Sequence, residues 1–177
     1  MNTEIEAKLK VDSLSEVAER LVTEGAEFGA KFQQIDSYFD LPEHILRKSD
    51  RGLRLRRQIA GQNEKIILTY KGKKQKHKFK KREEIEVEVS DADSAEKIIQ
   101  AIGFEKIVTV EKERTIWKLN SCEVCLDEVT LLGSFVEIES PDQQKIEEVQ
   151  KRLGLAQLPH IVKSYSNMVR KKLHQLH

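Results

Sequence analysis

The sequence predicts an α+β fold in which about eight strands, most of them antiparallel, form the sheet and about four helices pack against it. Three observations support this prediction. Charged and apolar residues alternate in most of the candidate strands, as expected for strands with two different faces. Short turns join many of these strands, which favours antiparallel pairing. The helical segments carry apolar stripes that need a surface to pack on.

The first strand covers residues 3–11 and places Glu4, Glu6 and Lys8 in one row, because successive side chains on a strand point to opposite faces. The apolar residues between them form the other face. Two carboxylates beside a cation suit a divalent metal ion and a phosphate together. For this stretch taken alone, a charged strand face in water is the alternative.

The helix that follows begins at a capping box, Ser13-Leu14-Ser15-Glu16, and Gly25 is a natural end for it. One face of this helix is apolar, which predicts that it packs against the sheet. The apolar stripe consists of Leu14, Val17, Ala18, Leu21 and Val22.

The rest of the chain alternates between strands and helices. A second strand is predicted at 31–39, followed by a loop that contains Pro42. Turns at Gly61-Gln62-Asn63 and at Asn120-Ser121 indicate two hairpins. Further strands are predicted at 52–60, 64–71, 80–90, 105–119, 122–129 and 134–139, and further helices at about 92–102, 142–153 and 163–175, with Gly103 and Gly154 ending two of them.

Composition limits the possible classes of protein. The chain of 177 residues fits a single domain over residues 1–177, and its net charge of +1 gives no overall field that would attract nucleic acid. No run of about 18 apolar residues predicts a transmembrane helix. Charges begin at Glu4, which argues against a signal peptide, so we expect a cytoplasmic protein.

The two cysteines, Cys122 and Cys125, lie three positions apart on one predicted strand. Their side chains should therefore point to opposite faces, which disfavours a disulfide between them. They would supply half of a zinc site, but the sequence has no second pair. We expect two reduced, structural cysteines.

The charged faces of the strands leave two architectures open. An open sheet would turn these faces to water, whereas a closed barrel would bury them and turn its apolar exterior to the helices. Buried charges must be paired or must bind an ion. The Arg and Lys residues would suit phosphates, and the carboxylates would suit Mg²⁺ or Mn²⁺. No glycine-rich phosphate loop is present, so side chains would have to hold the phosphates.

The N-terminal motif Glu4-Ile5-Glu6-Ala7-Lys8 resembles the Glu-x-Glu-x-Lys signature of the CYTH superfamily, the triphosphate tunnel metalloenzymes. The resemblance implies an eight-stranded antiparallel closed β-barrel with a charged interior and helices packed outside. It continues in order through Asp36-Ser37-Tyr38-Phe39-Asp40, Leu53-Arg54-Leu55-Arg56, Thr69-Tyr70-Lys71-Gly72, Arg82-Glu83-Glu84-Ile85-Glu86, Lys112-Glu113-Arg114, Leu126-Asp127 and Gly133-Ser134-Phe135-Val136-Glu137-Ile138-Glu139.

The same resemblance implies roles for individual residues. A Mg²⁺ or Mn²⁺ ion would be held by Glu4, Glu6 and Glu137, with Asp127 and Glu139 assisting. Lys71, Lys112 and Tyr165 would act in catalysis. The triphosphate substrate would be bound by Lys8, Arg54, Arg56, Arg82 and Arg114, and Glu84 would assist by binding a second metal ion or orienting the base.

The reaction itself stays open. Lys163-Ser164-Tyr165 resembles an element of class IV adenylyl cyclases, which implies conversion of ATP to cyclic AMP and pyrophosphate. Members of that branch carry a His-Phe pair several residues before the N-terminal motif, and only Met1, Asn2 and Thr3 precede Glu4 here. The alternatives are hydrolysis of tripolyphosphate, thiamine triphosphate or a nucleoside triphosphate, and binding of polyphosphate without catalysis.

The expected partners are a small-molecule triphosphate substrate and, from the resemblance, a second copy in a homodimer. We expect no membrane partner and no specific nucleic acid. The basic run from Lys71 to Lys81 is the densest in the chain. It predicts a solvated loop, with a lid that attracts polyanions or a nucleic-acid patch as alternatives.

Overall fold

The computed structural model describes residues 2–75 and 79–176, apart from the side chains of residues 2–4 and of Lys80. The helices are α1 (Leu14–Thr23), α2 (Ile45–Lys48), α3 (Ala92–Ala101), α4 (Gln143–Arg152) and α5 (Tyr165–His174), with a 3₁₀ turn at Pro42–His44. The strands are β1 (Asn2–Lys10), β2 (Glu27–Asp40), β3 (Gly52–Ala60), β4 (Asn63–Lys71), β5 (Lys80–Val89), β6 (Glu105–Leu119), β7 (Cys122–Val129) and β8 (Gly133–Glu139).

The strands form a closed barrel in the order β1-β5-β4-β3-β2-β6-β7-β8, and all neighbouring strands are antiparallel. Strand β1 closes it by pairing with two strands. Its first half runs along β5, where Glu4 lies opposite Arg82, and its second half runs along β8, where Lys8 lies opposite Glu137. The closed, eight-stranded barrel expected from the resemblance is therefore confirmed.

The main hydrophobic core lies outside the barrel wall, between the wall and the helices. Helices α1 and α4 cover β1, β7 and β8, where Leu9, Val124 and Ile138 are buried. A second cluster lies at one end of the barrel, where Val169 of α5 joins Val110 and Phe135 on the inward strand faces. A third cluster forms outside, where Ile99 of α3 meets Leu55 of β3. The charged alternation of each strand therefore faces inward. This arrangement is the reverse of an ordinary sheet with its charged face in water.

The helices leave part of the exterior uncovered. On β5 the outward residues Ile85 and Val87 are 50% and 55% exposed. The apolar stripe of α1 is likewise only partly used, since Leu21 is fully buried while Val22 is 63% exposed. The expectation that the whole stripe packs on the sheet is thus wrong for Val22, which lies at the edge of the contact.

The loop predicted around Pro42 contains the 3₁₀ turn and the short helix α2 instead. The buried carboxylate of Asp40 explains this local structure. Its Oδ1 accepts the backbone N–H of Leu46 at 2.8 Å, and its Oδ2 accepts that of Arg47 at 3.1 Å. A side chain outside the helix therefore satisfies two of the free N–H groups of a helix N-terminus. The sequence pattern gave no helical period over so short a segment.

The described parts of the basic run form backbone hydrogen bonds within the run and with Glu83. The backbone N–H of Gly72 donates to the Glu83 carbonyl at 2.9 Å, and that of Gln75 donates to the Lys81 carbonyl at 2.8 Å. Residues 76–78, in the middle of the run, lie outside the described residues. The three interpretations of this run therefore stay predictions.

Both cysteines are free and buried. Cys122 packs in the core beneath the helices, whereas Cys125 donates to the Glu123 carboxylate at 3.6 Å on the inner side of the wall. The two thiols thus point to opposite faces, as the alternation predicts. Over the described part of the chain, no helix has both the length and the apolar character needed to cross a membrane.

The exterior core can be tested with two neighbouring residues of α1. Leu21→Ala should lower the free energy of unfolding by about 2–5 kcal/mol, because it leaves a cavity in a fully packed site. Val22→Ala should change it by less than about 1 kcal/mol, since that side chain is mostly in water. Urea unfolding of both variants checks this, and equal losses would contradict the assigned packing.

Candidate active site

Each of the eight strands contributes at least one charged side chain to the barrel interior, around a cavity of about 320 Å³. The alternation within each strand explains this, because residues two apart share a face. Asp127 is fully buried behind the cavity wall. The described charged residues that line the cavity from the strands include Glu6, Lys8, Asp36, Arg54, Arg56, Lys71, Arg82, Glu84, Glu86, Lys112, Arg114, Glu123, Glu137 and Glu139.

The Asp127 carboxylate lies at the centre of one network. Arg114 donates to both of its oxygens, with Nε at 2.6 Å from Oδ1 and Nη2 at 2.6 Å from Oδ2. Lys112 Nζ donates to Oδ2 at 3.0 Å, and the Tyr165 hydroxyl donates to the same oxygen at 2.9 Å. Strand pairing places Arg114 directly opposite Asp127, and Tyr165 arrives from the first turn of α5. The network therefore joins β6, β7 and the C-terminal helix.

Burial and charge act in opposite directions on the groups of this network. Burial alone would raise the pKa of Asp127, but Arg114 and Lys112 outweigh it and the pKa is lowered. The pKa of Lys112 is also lowered, by burial first and by the neighbouring Arg114 next, although Asp127 opposes this. Burial and the nearby Glu137 and Asp127 raise the pKa of Tyr165. The site thus holds Asp127 ionised and the tyrosine neutral, and it favours release of a proton from Lys112.

A second network lies on β2, β3, β4 and β5. Arg56 forms a bidentate pair with the buried Asp36, with donor–acceptor distances of 2.7 and 2.8 Å. Arg54 Nη2 donates to Thr69 at 2.9 Å and to Glu86 at 3.1 Å. Burial alone would raise the pKa of Asp36, but Arg56 and Arg54 more than reverse this and the pKa is strongly lowered. Asp36 therefore carries its charge at neutral pH.

Two further pairs lie near the end of the barrel where β4 ends and β5 begins. Lys71 Nζ donates to Glu84 at 2.6 Å, so these two predicted site residues contact each other. Arg82 donates to Asp50 at 3.3 Å, and Asp50 also accepts the backbone N–H of Lys74 at 2.9 Å. Asp50 is a residue that sequence reasoning missed, because a turn residue before β3 carries no strand pattern.

The carboxylates of β1 and β8 surround Lys8. Its Nζ lies 3.1 Å from Glu137 and 3.7 Å from Glu6, and 4.0 Å from the centre of the Tyr165 ring. Glu137 also accepts a short hydrogen bond from Arg114. Strand pairing places Glu139 opposite Glu6 on one side and opposite Glu123 on the other.

Glu123 is a second residue that sequence reasoning missed. It lines the cavity, and it shares the inward face of β7 with Asp127 and Cys125. The alternation of the strand predicted at 122–129 was sufficient to place it there, because positions 123 and 127 have the same parity.

The donor chemistry of this row fits a hard divalent cation, since Glu6, Glu137 and Glu139 offer only carboxylate oxygens. Within residues 2–75 and 79–176, no three acidic, histidine or cysteine side chains already stand at metal-binding separations. Lys8 and Arg114 contact Glu137 instead. The side chain of Glu4, which was predicted as a ligand, lies outside the described residues. A bound ion would therefore need these carboxylates to exchange partners.

The family model that matches this chain is the CYTH domain, over residues 2–165. The chain belongs to the CYTH family. Proteins of this family process triphosphate-containing substrates, so the charged interior of the CYTH barrel is the natural candidate for its active site.

Two curated relatives extend this assignment. The chain is 32% identical over 171 residues to a Methanocaldococcus jannaschii protein named "Putative adenylate cyclase", with 92% of this chain and 95% of the relative covered. It is 27% identical over 151 residues to the adenylate cyclase CyaB of Aeromonas hydrophila, with 80% and 74% covered.

Solved structures show the same CYTH barrel. A protein of Pyrococcus horikoshii OT3 superposes with a TM-score of 0.81 at 30% identity, covering 95% of this chain and 99% of the other. A Hippeastrum protein with a dominant triphosphatase activity superposes with a TM-score of 0.69 at 17% identity. The superposition covers 97% of this chain and 95% of the other. At this identity the second likeness concerns the fold alone.

The predicted site residues with described side chains all lie in or directly behind this cavity, and Tyr165 joins them from α5. Their individual roles in binding and catalysis stay predictions. The sequence patterns did not predict which of these side chains pair with each other. The main such pairs are Arg56–Asp36 and Lys71–Glu84.

The Arg56–Asp36 pair predicts a specific dependence of stability on pH. Asp36→Asn should lower the free energy of unfolding at pH 7 by about 3–5 kcal/mol, because it leaves the arginine buried without a counter-charge. The folded pKa of Asp36 lies below its ordinary value, so its contribution is complete above that value and decreases as the pH falls below about 4. The difference between wild type and variant should therefore narrow in acid.

Urea unfolding at pH 7 and pH 3 measures this difference. Asp12→Asn is the matched control, since Asp12 is exposed, and should change stability by less than about 0.5 kcal/mol at either pH. A loss for Asp36→Asn that is equal at both pH values would contradict the assigned ionisation.

Proposed function

We propose that this protein is a divalent-metal-dependent enzyme that binds a triphosphate in its barrel and converts ATP to cyclic AMP and pyrophosphate. The observation that carries the proposal is a set of buried guanidinium groups with unused donors. Arg54 Nε and Arg82 Nε are buried and have no hydrogen-bond partner among the described residues. A buried donor without a partner is costly, and phosphate oxygens would satisfy it.

The other charges of the cavity support the same conclusion. The buried ion pairs contribute little to the stability of the fold, because the cost of removing the charges from water offsets most of their attraction. A need for folding stability therefore does not explain why so many are buried. Their burial is well explained by a ligand that brings both anionic oxygens and a cation. On binding, Arg54, Arg56 and Arg114 would turn from carboxylates to phosphate oxygens, whose geometry suits their planar forks.

Glu6, Glu137 and Glu139 would hold the metal ion. When bound, that ion would neutralise charge on the phosphates and on the leaving pyrophosphate. Glu137, released by Arg114, would then face the metal ion instead. Lys8 lies between Glu6 and Glu137 and would contact the phosphates beside them.

In the proposed reaction, the ribose 3′-hydroxyl attacks the α-phosphate in line and pyrophosphate leaves. The chain would bind and orient the triphosphate, and Lys112 would accept the hydroxyl proton, since its pKa is lowered by burial and by Arg114. The names of the Methanocaldococcus and Aeromonas relatives support this reaction over others on triphosphates.

Hydrolysis is the competing reaction. The same cations and carboxylates would bind tripolyphosphate, thiamine triphosphate or a nucleoside triphosphate while water attacks the terminal phosphate. The likeness to the Hippeastrum protein concerns the fold and does not favour either reaction. A binder of polyphosphate without turnover is the third outcome.

Product analysis separates these outcomes. The protein would be incubated with ATP, tripolyphosphate and thiamine triphosphate, with Mg²⁺ and Mn²⁺ in turn, and the products identified by chromatography. We expect cyclic AMP and pyrophosphate from ATP. Orthophosphate as the sole product would establish hydrolysis and exclude cyclisation under those conditions. If no triphosphate is turned over with either metal, the protein binds polyphosphate without catalysis, and the proposed enzyme activity is wrong.

Removal of single carboxylates tests the metal-binding role. Glu6→Gln and Glu137→Gln should lower kcat by about 100-fold or more, because each removes charge that positions the ion. Binding of metal-free tripolyphosphate should persist in both variants. Glu111→Gln is the matched control on the outer face of β6, where Glu111 is exposed, and its activity should equal that of wild type. A normal rate in either cavity variant would contradict the assignment.

A further inference from the structure

Two glutamines form an uncharged part of the otherwise charged barrel interior. Gln34 of β2 and Gln58 of β3 lie directly opposite each other in the strand register. The Gln34 amide nitrogen donates to the Gln58 amide oxygen at 2.6 Å. Both side chains line the same cavity as the arginines, and Gln34 is 1% exposed.

The amide oxygen of Gln34 is the unexplained feature. It is buried and has no hydrogen-bond partner in the described part of the chain. A buried carbonyl oxygen of this kind is normally satisfied, either by the protein or by a ligand. Since the side chain lies on the cavity wall, a donor on a bound ligand can reach it.

Two apolar side chains line the same cavity as the amide pair, Ile67 of β4 and Ile116 of β6. Gln58 and Ile67 lie towards the β3–β4 hairpin, whereas Lys71 and Arg82 lie towards the opposite end of the barrel. Charged residues stand beside this uncharged patch, since Arg56 lies opposite Ile67 and Lys112 lies opposite Gln34. A flat, uncharged group with polar edges fits against the amides and the isoleucines, with phosphate-binding cations within reach.

We propose that Gln34 and Gln58 form the nucleobase subsite and that they read a 6-aminopurine. The Gln34 amide oxygen accepts a hydrogen bond from the exocyclic amino group, and the Gln58 amide nitrogen donates to N7 of the ring. Glutamine recognises adenine by this same donor and acceptor pattern in other settings. Ile67 and Ile116 supply the apolar walls for the ring. This inference rests on the proposed function, because it concerns the base of the same triphosphate substrate.

The strand register places Lys112 beside the amide pair. Gln34 lies opposite Lys112 on the neighbouring strand β6. A base held by Gln34 would therefore lie next to Lys112. The proposed proton acceptor and the base-reading residue thus occupy adjacent positions of one pair of strands.

Comparison of ligands on the wild-type protein tests the subsite without any substitution. Isothermal titration calorimetry in EDTA, where metal-dependent turnover is absent, would compare ATP, ITP and tripolyphosphate. ITP carries an oxygen in place of the amino group, so it leaves the Gln34 oxygen without a donor. We expect ATP to bind about 5- to 150-fold more tightly than ITP. Equal affinities, or tighter binding of ITP, would overturn the proposal.

Two variants test the residues themselves. Gln34→Leu and Gln58→Leu should each reduce the affinity for ATP to about that for ITP and leave the affinity for tripolyphosphate unchanged. Gln33→Leu is the matched control, because Gln33 is exposed on the outer face of the same strand. Thermal unfolding verifies that each variant folds. A parallel loss of ATP and tripolyphosphate affinity in a folded variant would overturn the role in base recognition.

The same titrations separate this inference from the proposed function. If tripolyphosphate binds but ATP binds no more tightly than ITP, the proposed nucleobase subsite is wrong, while the proposed triphosphate site is supported. If tripolyphosphate fails to bind both in EDTA and with Mg²⁺, the proposed function itself is wrong.

Discussion

Charge enclosed in a barrel must be neutralised inside it, and this constraint organises the whole molecule. The wall is closed because β1 pairs with both β5 and β8. Many of the inward charged side chains, among them Lys8, Lys112 and Arg114, are therefore buried, and each buried cation needs an acceptor within reach. The two largest networks, around Asp127 and around Asp36, meet this need with pairs across neighbouring strands. The apolar alternation is left outside, which is why the hydrophobic core lies under the helices.

The constraint also explains why the C-terminal helix belongs to the site. Asp127 has two cationic neighbours on β6, and its Oδ2 receives a third hydrogen bond from Tyr165 of α5. The ring of Tyr165 lies against Lys8 and packs on Phe135, which shares the inward face of β8 with Glu137. One residue thus connects the charged interior with the apolar cluster that α5 forms at one end of the barrel. Movement of α5 would alter the polar surroundings of Lys8, Lys112 and Asp127 together.

The sequence predicts much of this arrangement because period-two alternation determines which face a residue occupies. That Glu6 shares a strand face with Lys8, and Arg114 with Lys112, followed from parity alone. Closure did not, since an open sheet gives the same alternation, and it was the resemblance to the CYTH family that favoured a barrel. Asp40 and Asp50 act through backbone groups and loops that carry no period. Whether Val22 is covered depends on the placement of neighbouring helices, which local patterns do not contain.

The charged and the uncharged side chains of the cavity differ in the partners that the protein itself provides. A cation of the cavity can pair with a carboxylate of the protein, as Arg56 pairs with Asp36. An amide has no such partner of opposite charge, so Gln34 pairs with Gln58, and its own oxygen has no partner among the described residues. The charged residues suit any triphosphate, whereas the amide pair, in the role that we propose, suits a ligand with an uncharged, hydrogen-bonding end. A nucleotide has both ends, and inorganic tripolyphosphate has only one.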